Sequence, residues 1–388
     1  MSFNAEDATR AYIDGLGPEA LAKAADYTTG NHWLLLGALI VSALVTLAIT
    51  RSGLLTGIES RFQDKRKSVK ALLVGLVYFF VSALLTLPWS LYADWWREKE
   101  FGRTDQPVSD FLAQGAIEIA LSAVLGALFF TAVYWLIRRT GRLWWLWSGG
   151  LTVVAITVML LLSPIFIEPL FNSYEPVPEG EVRAALTDMA REAGIAEDRL
   201  FMFDGSRQSN NFTANVSGLG SSARIAISDV AIGQASLAEV KAVTGHEIGH
   251  YVLGHVWRAV ITLSVLAMVF FFLADRLFPM VAGLFVANRD IAIASGLPVL
   301  LFIMSALFTL SEPVSNTLIR MEETEADQYS LTHVNLPDAL ATALVKTAEY
   351  RNPRPHPVEE FLFYSHPSVE RRVRMAMDWK AAHPPEAE

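Results

Sequence analysis

The chain has 388 residues, 52% hydrophobic and 18% charged, with a mean hydropathy of +0.34. An average soluble domain carries about 25% charged residues, so much of this chain is expected to be solvated by lipid. The net charge of −9 and the scattered basic residues argue against a nucleic-acid partner. The absence of cysteine excludes disulfides and thiolate ligands, leaving His, Asp and Glu for any metal.

Residues 1–31 are polar and mildly acidic (Glu6, Asp7, Asp14, Glu19, Asp26), unlike a signal peptide. Residues 32–171 hold four candidate membrane spans: 32–49, closed by Arg51; 71–92; 117–137, closed by "RRTGR"; and a fourth that starts in "LWWLWSGG" and ends near 167. Each approaches the roughly 20 apolar residues that cross a bilayer core. Trp33, Trp89, Tyr92, Trp95, Trp96, Trp144, Trp145 and Trp147 cluster at their ends, as interfacial aromatics do. Residues 172–256 read as a soluble α+β part. A helix is expected over 179–193, strands in "RLFMFDG" and "ARIAISD", and loop plus edge strand in the Ser/Asn/Gly-rich run between them. Two further spans lie within 257–319, the last extending from 296 toward 319. Residues 320–388 form a helical C-terminal part: "EETEADQYSLTH", "NLPDALATALVKTAEY", a break at "RNPRPHP", and a final helix in "HPSVERRVRMAMDWKAA". The fold class is therefore mostly α, a polytopic bundle of about six spans with an α+β domain. Six uncharged runs make a large soluble protein with buried helices the weaker reading.

The chemistry concentrates in "GHEIGHYVLGH", 245–255. Ser236 and Glu239 form a capping box, and the proline-free run from Leu237 through Val260 predicts one helix. His246 and His250, four apart, project from one face and can share a tetrahedral Zn²⁺, with Glu247 beside them to take a proton from water. On the same helix His255 lies about 140° from His250 and is expected to support or pack rather than ligate. The third ligand must come from elsewhere, and Glu323 in "MEETEADQYS" offers it, with Asp327 on the same face to orient a ligand imidazole. A solvated acidic face is the competing reading of that stretch, and Glu322 and Glu325 are expected to point away. In "YSHPSVERRV", His366 and Arg372 are candidates to donate to the oxyanion formed when water adds to a carbonyl; a solvent-facing turn is the alternative for His366. His32, His333, His356 and His383 carry no such pattern.

Taken together, "LPWSLYADWWREKEFG", "EPLFNSYEPVPEGE", "GHEIGHYVLGH", "RMEETEAD" and "YSHPSVERRV" resemble the type I CAAX prenyl proteases, integral-membrane zinc metalloendopeptidases, over nearly the whole chain. The resemblance implies one Zn²⁺ per chain on His246, His250 and Glu323, with Asp327 as companion, Glu247 as general base, and His366 and Arg372 at the oxyanion. It implies a peptide or protein substrate, prenylated or membrane-inserted, whose backbone pairs with an edge strand at Thr213, Ala214 and Asn215. Here Thr213 and Asn215 replace the family's Asn and aromatic residue, which alters side-chain specificity but not backbone pairing. The family's spans enclose a chamber, and Glu118 and Glu168 are candidates to line it, with snorkelling to the interface as the equal alternative. The family has seven spans, and the opening of this chain resembles the segment after the first. On that alignment the catalytic face is cytoplasmic, in a bacterial inner membrane. The basic loops after the first and third spans argue the opposite sidedness by the positive-inside rule. Two other readings remain: an HtpX-like quality-control protease, and a non-enzymatic membrane protein with structural zinc, which four protein ligands would mark.

Overall fold

The polar opening of the chain folds as helix, and so do the apolar runs that follow it. The structure is a computed structural model that describes residues 3–218, 220–347 and 351–384. Asn4 caps α1 (Ala5–Asp14) by accepting from the N–H groups of Glu6 and Asp7. Helix α2 (Gly17–Ser52) then runs unbroken from the polar segment through the first span and stops at Gly53, whose φ of 67° suits glycine. After α3 (Leu54–Arg61), α4 (Lys67–Ser90) widens into a π-type turn over Leu91–Trp96 just past Pro88, which lacks a ladder donor, and continues into α5 (Arg97–Glu100). Helices α6 (Val108–Thr140) and α7 (Trp144–Leu162) are joined by a tight turn at Gly141–Leu143.

Among the described residues five helical stretches are long and apolar enough to cross a membrane. The longest, Val108–Leu170, contains both α6 and α7 and so holds two of the six hydropathy runs. Only 6% of its apolar window is buried, and Leu128, Trp135 and Val154 along the stretch face outward for lipid. Where helices do touch, small residues permit it. Gly75 of α4 meets α6 so closely that an added Cβ would lie 3.0 Å from the Ala127 Cα.

The α+β domain begins with β1 (Tyr174–Pro176), a short strand that its Pro-rich sequence did not announce and that exists by pairing with β2. It continues with α8 (Glu181–Glu192), β2 (Leu200–Phe203), β3 (Ala214–Ser217), β4 (Arg224–Ser228), α9 (Asp229–Gln234) and α10 (Leu237–Val252). The sheet order is β1-β2-β4-β3, with β2 and β4 parallel and the outer strands antiparallel, so β3 is an open edge. Leu200, Ile225 and Ile227 bury one core against Leu186 of α8 and Val240 and Ile248 of α10. Glu168, just beyond α7, accepts from Arg224 of β4 and from the Tyr174 hydroxyl, tying the membrane helices to the sheet. Glu118 is exposed on α6.

The chain then forms α11 (His255–Leu284), α12 (Leu297–His333), α13 (Pro337–Lys346), α14 (Pro357–Phe363) and α15 (Val369–Ala382). Helix α12 passes from apolar to acidic sequence without interruption, so the boundary expected at 319/320 is chemical, not conformational. Helix α13 ends at Lys346; the expected continuation through 348–350 lies outside the described residues. Helix α14 restarts at once after the expected break, because Pro357 fits a first helical turn. The N-terminal segment is not separate: Ile13 packs with Leu340, Val373 and Met377 in the core of the C-terminal part.

Replacing Gly75 by leucine should force α4 from α6, costing about 1–3 kcal/mol, read as a lower melting temperature of the detergent-solubilised protein.

Candidate metal centre and active site

Helix α10 starts from a reciprocal cap: the Ser236 hydroxyl accepts from the Glu239 N–H, and the Glu239 carboxylate accepts from the Ser236 N–H. One turn of spacing then puts His246 and His250 on a shared face, with their Nε2 atoms 3.1 Å apart. From α12, Glu323 brings Oε1 to 3.3 Å from His250 Nε2 and Oε2 to 3.4 Å from His246 Nε2. Three donors on one tetrahedral ion at 2.0–2.1 Å stand about 3.3 Å from one another. Glu323 Oε2 is buried without a well-formed hydrogen bond among the described residues. A buried carboxylate oxygen and paired imidazole nitrogens at these distances call for a cation between them. Among the described residues three such donors converge, the protein-ligand count of a site that keeps one position open.

Two glycines let the helices approach this closely. A Cβ at Gly245 would stand 2.5 Å from a Val334 methyl, and one at Gly249 would stand 3.2 Å from the Ala326 Cα. Behind the donors, His246 Nδ1 lies 2.8 Å from Asp327 Oδ1. Arg372 of α15 clamps that carboxylate, Nε to Oδ2 at 2.6 Å and Nη2 to Oδ1 at 2.7 Å. Asp327 is wholly buried and Arg372 nearly so. Burial opposes charge on His246, but the hydrogen bond and charge of Asp327 outweigh it and raise its pKa to about 10; the cluster favours positive charge at its centre. Burial likewise opposes charge on Arg372, and Asp327 overrides it, holding the guanidinium above its usual value.

Glu247 lines the cavity beside the donors, and burial raises its carboxyl above the usual range despite the two histidines. His366 brings Nε2 to 3.3 Å from Glu323 Oε1, and its Nδ1 lies 2.9 Å from the Ser365 hydroxyl. Burial pushes its pKa down to about 3, against the pull of Glu323, so the imidazole is neutral at neutral pH and offers a single N–H. The cavity, about 420 Å³, is walled on one side by Thr213 and Ala214 at the sheet edge; Asn215 does not line it. Phe212, Leu340, Leu344 and Arg351 also line it and carried no motif; their signal was only proximity to the edge strand and to α13.

One expectation is corrected. The helix carrying the histidines does not run through to Val260. It ends at Val252, and Gly254, with φ of 73°, turns the chain before α11 begins at His255. His255 therefore reaches back to contact His250, by a turn and not along one continuous helix. Glu325, expected to point elsewhere, contacts His255 Nε2 at 3.1 Å.

A sequence profile described as CAAX prenyl protease N-terminal, five membrane helices, matches residues 5–173, and one for peptidase family M48 matches residues 176–380. The chain is 27% identical over 314 residues to the metalloprotease YhfN of Bacillus subtilis, covering 78% of this chain and 72% of that one. It is 26% identical over 321 residues to CAAX prenyl protease 1 of Saccharomyces cerevisiae, covering 77% and 70%. The crystal structure of S. mikatae Ste24p superposes with a TM-score of 0.77 at 21% identity, covering 94% of this chain and 90% of that one, and shows the same fold.

Gly249→Val should push α12 off α10 and weaken divalent-metal binding by at least about tenfold, measured by competition with a chromophoric chelator. Asp327→Ala removes the two-pronged partner of the buried Arg372, leaving it, among the described residues, only the 3.5 Å ion pair with Glu323, and should destabilise the fold by about 3 kcal/mol, seen in thermal unfolding.

Proposed function

The chain belongs to peptidase family M48 and is an integral-membrane metallopeptidase; from that premise we propose that it hydrolyses peptide bonds with one Zn²⁺ held by His246, His250 and Glu323. The observation that carries this reading is the convergence of these three donors in a cavity that also contains Glu247. Three protein donors favour a catalytic over a structural metal. When bound, zinc polarises the scissile carbonyl and acidifies the attacking water.

The protein's own groups do the rest. The carboxylate of Glu247, made more basic by burial, accepts the water proton and returns it to the leaving amine. Asp327, fixed by Arg372, holds the His246 ring so that Nε2 faces the cavity. His366 lines the same cavity, and its imidazole N–H is the donor to the carbonyl oxygen as charge develops there. Arg372 adds positive charge to that wall, but its first task is positioning, because Nε and Nη2 are committed to Asp327.

Substrate enters as an added strand. Ser228 N–H donates to Thr213 O, and in this register 213, 215 and 217 bond inward to β4. Ala214 and Val216 therefore turn their backbone groups to the open edge, and Ala214 does so beside the metal donors. We place the substrate among C-terminal segments of prenylated or membrane-inserted proteins, because residues 5–173 match the profile described as CAAX prenyl protease N-terminal, five membrane helices. The catalytic face is assigned to the cytoplasm.

Glu247→Gln should lower turnover of a farnesylated CAAX peptide by at least about 100-fold while zinc content stays near one per chain; full activity in that variant would refute the general-base role. Ala214→Pro removes an outward N–H and should lower kcat/KM with zinc content unchanged. Equal cleavage of non-prenylated membrane-inserted peptides would place quality control ahead of CAAX processing. Sidedness is read from a single cysteine introduced at the exposed Asp378, labelled by an impermeant reagent only when the cytoplasmic face is accessible.

A further inference from the structure

The two imidazoles of the metal centre are supported in different ways. His246 hands its Nδ1 directly to a carboxylate, Asp327, which an arginine clamps. Among the described residues no carboxylate stands at that distance from His250; its Nδ1 lies 2.8 Å from the Nδ1 of His255. His255 is 3% exposed, and its other nitrogen, Nε2, lies 3.1 Å from Glu325 Oε2. Arg258, one turn further along α11, donates from Nη1 to the same oxygen at 2.6 Å. The turn at Gly254 is what brings His255 into line.

The proton positions follow from chemistry. His250 presents Nε2 to the donor cluster, 3.1 Å from His246 Nε2 and 3.3 Å from Glu323 Oε1. A neutral imidazole that offers Nε2 as a lone pair carries its proton on Nδ1. That proton must be donated to His255 Nδ1, which fixes the His255 proton on Nε2, where it is donated to Glu325. Every link then has one donor and one acceptor, and the charge of Glu325 is relayed through a buried neutral ring.

We propose that His255, with the Glu325–Arg258 pair behind it, is a positioning residue for the metal centre: it sets the tautomer and ring orientation of His250 and raises its basicity as a ligand. The arrangement is the relayed counterpart of the Asp327–Arg372 clamp on His246. A carboxylate of α12 and an arginine from another helix stand behind each imidazole. The proposal rests on His250 being a ligand.

The test is Zn²⁺ affinity of the full-length protein in detergent, by chelator competition, with Co²⁺ absorption as a report on ligand geometry. His255→Leu should weaken Zn²⁺ binding about 10- to 100-fold and alter the Co²⁺ spectrum. His255→Gln, whose amide oxygen accepts from His250, should recover most of that loss. Glu325→Gln changes a carboxylate that is 41% exposed, so folding is kept, and it should weaken Zn²⁺ several-fold. Wild-type affinity and spectrum in His255→Leu, no recovery in His255→Gln, or unchanged affinity in Glu325→Gln would each overturn the proposal. If His255→Leu does not fold, Glu325→Gln decides alone. A wild-type protein that binds no Zn²⁺, or a His250→Ala variant that binds it normally, would instead overturn the ligand reading.

Discussion

Everything in this active site depends on how near α10 and α12 come to each other. One helix supplies two imidazoles, the other a carboxylate, and neither holds a metal alone. Their approach is permitted by the absence of side chains at Gly245 and Gly249, which flank His246 and His250 on the contact face. A methyl group at Gly245 would stand 2.5 Å from Val334, a distance that packed atoms do not adopt, and one at Gly249 would stand 3.0 Å from Tyr329 and 3.2 Å from Ala326, tight enough that the helices would have to shift. The glycines of "GHEIGH" are therefore as much part of the donor set as the histidines.

Close approach creates an electrostatic problem that the fold solves in place. Glu323 and Asp327 are buried on one face of α12, where isolated carboxylates would be costly. Arg372 answers Asp327 with a two-pronged contact, and it arrives on α15, whose Val373 and Met377 are locked into a core shared with α1. The first residues of the chain thus help to fix a charge behind the metal centre. That coupling explains why a polar opening segment, unremarkable in composition, is folded and packed.

The sequence announced what local spacing controls. The four-residue intervals His246–His250 and Glu323–Asp327, the Ser236–Glu239 box and the apolar runs are all written in short windows, and each corresponds to a helix or helix end in the structure. Membership in the M48 family was legible for the same reason, since its motifs are contiguous. Other features depend on contacts between distant segments. Strand β1 is three residues long and exists only by pairing with β2. The continuity of α2 and α12 across changes of polarity is invisible to a hydropathy reading, which sees where the solvent changes and not where the helix stops. The turn at Gly254 was missed because one glycine inside a helical pattern is a weak break signal, and with it went the contact of Glu325 with His255.

The continuous course of α12 joins a membrane-capable stretch directly to the residues of the site. Glu323 lies 10 residues beyond Pro313, where α12 lacks a ladder hydrogen bond, an arm of about 15 Å at 1.5 Å per residue. Pivoting that arm by one degree displaces its far end by about 0.3 Å, more than the roughly 0.2 Å within which a metal–ligand bond length is held. Changes in acyl-chain length or sterol content, which alter the tilt of a spanning helix, act at the root of this arm. Bilayer thickness is in that sense a mechanical input to the spacing of Glu323 from His246 and His250.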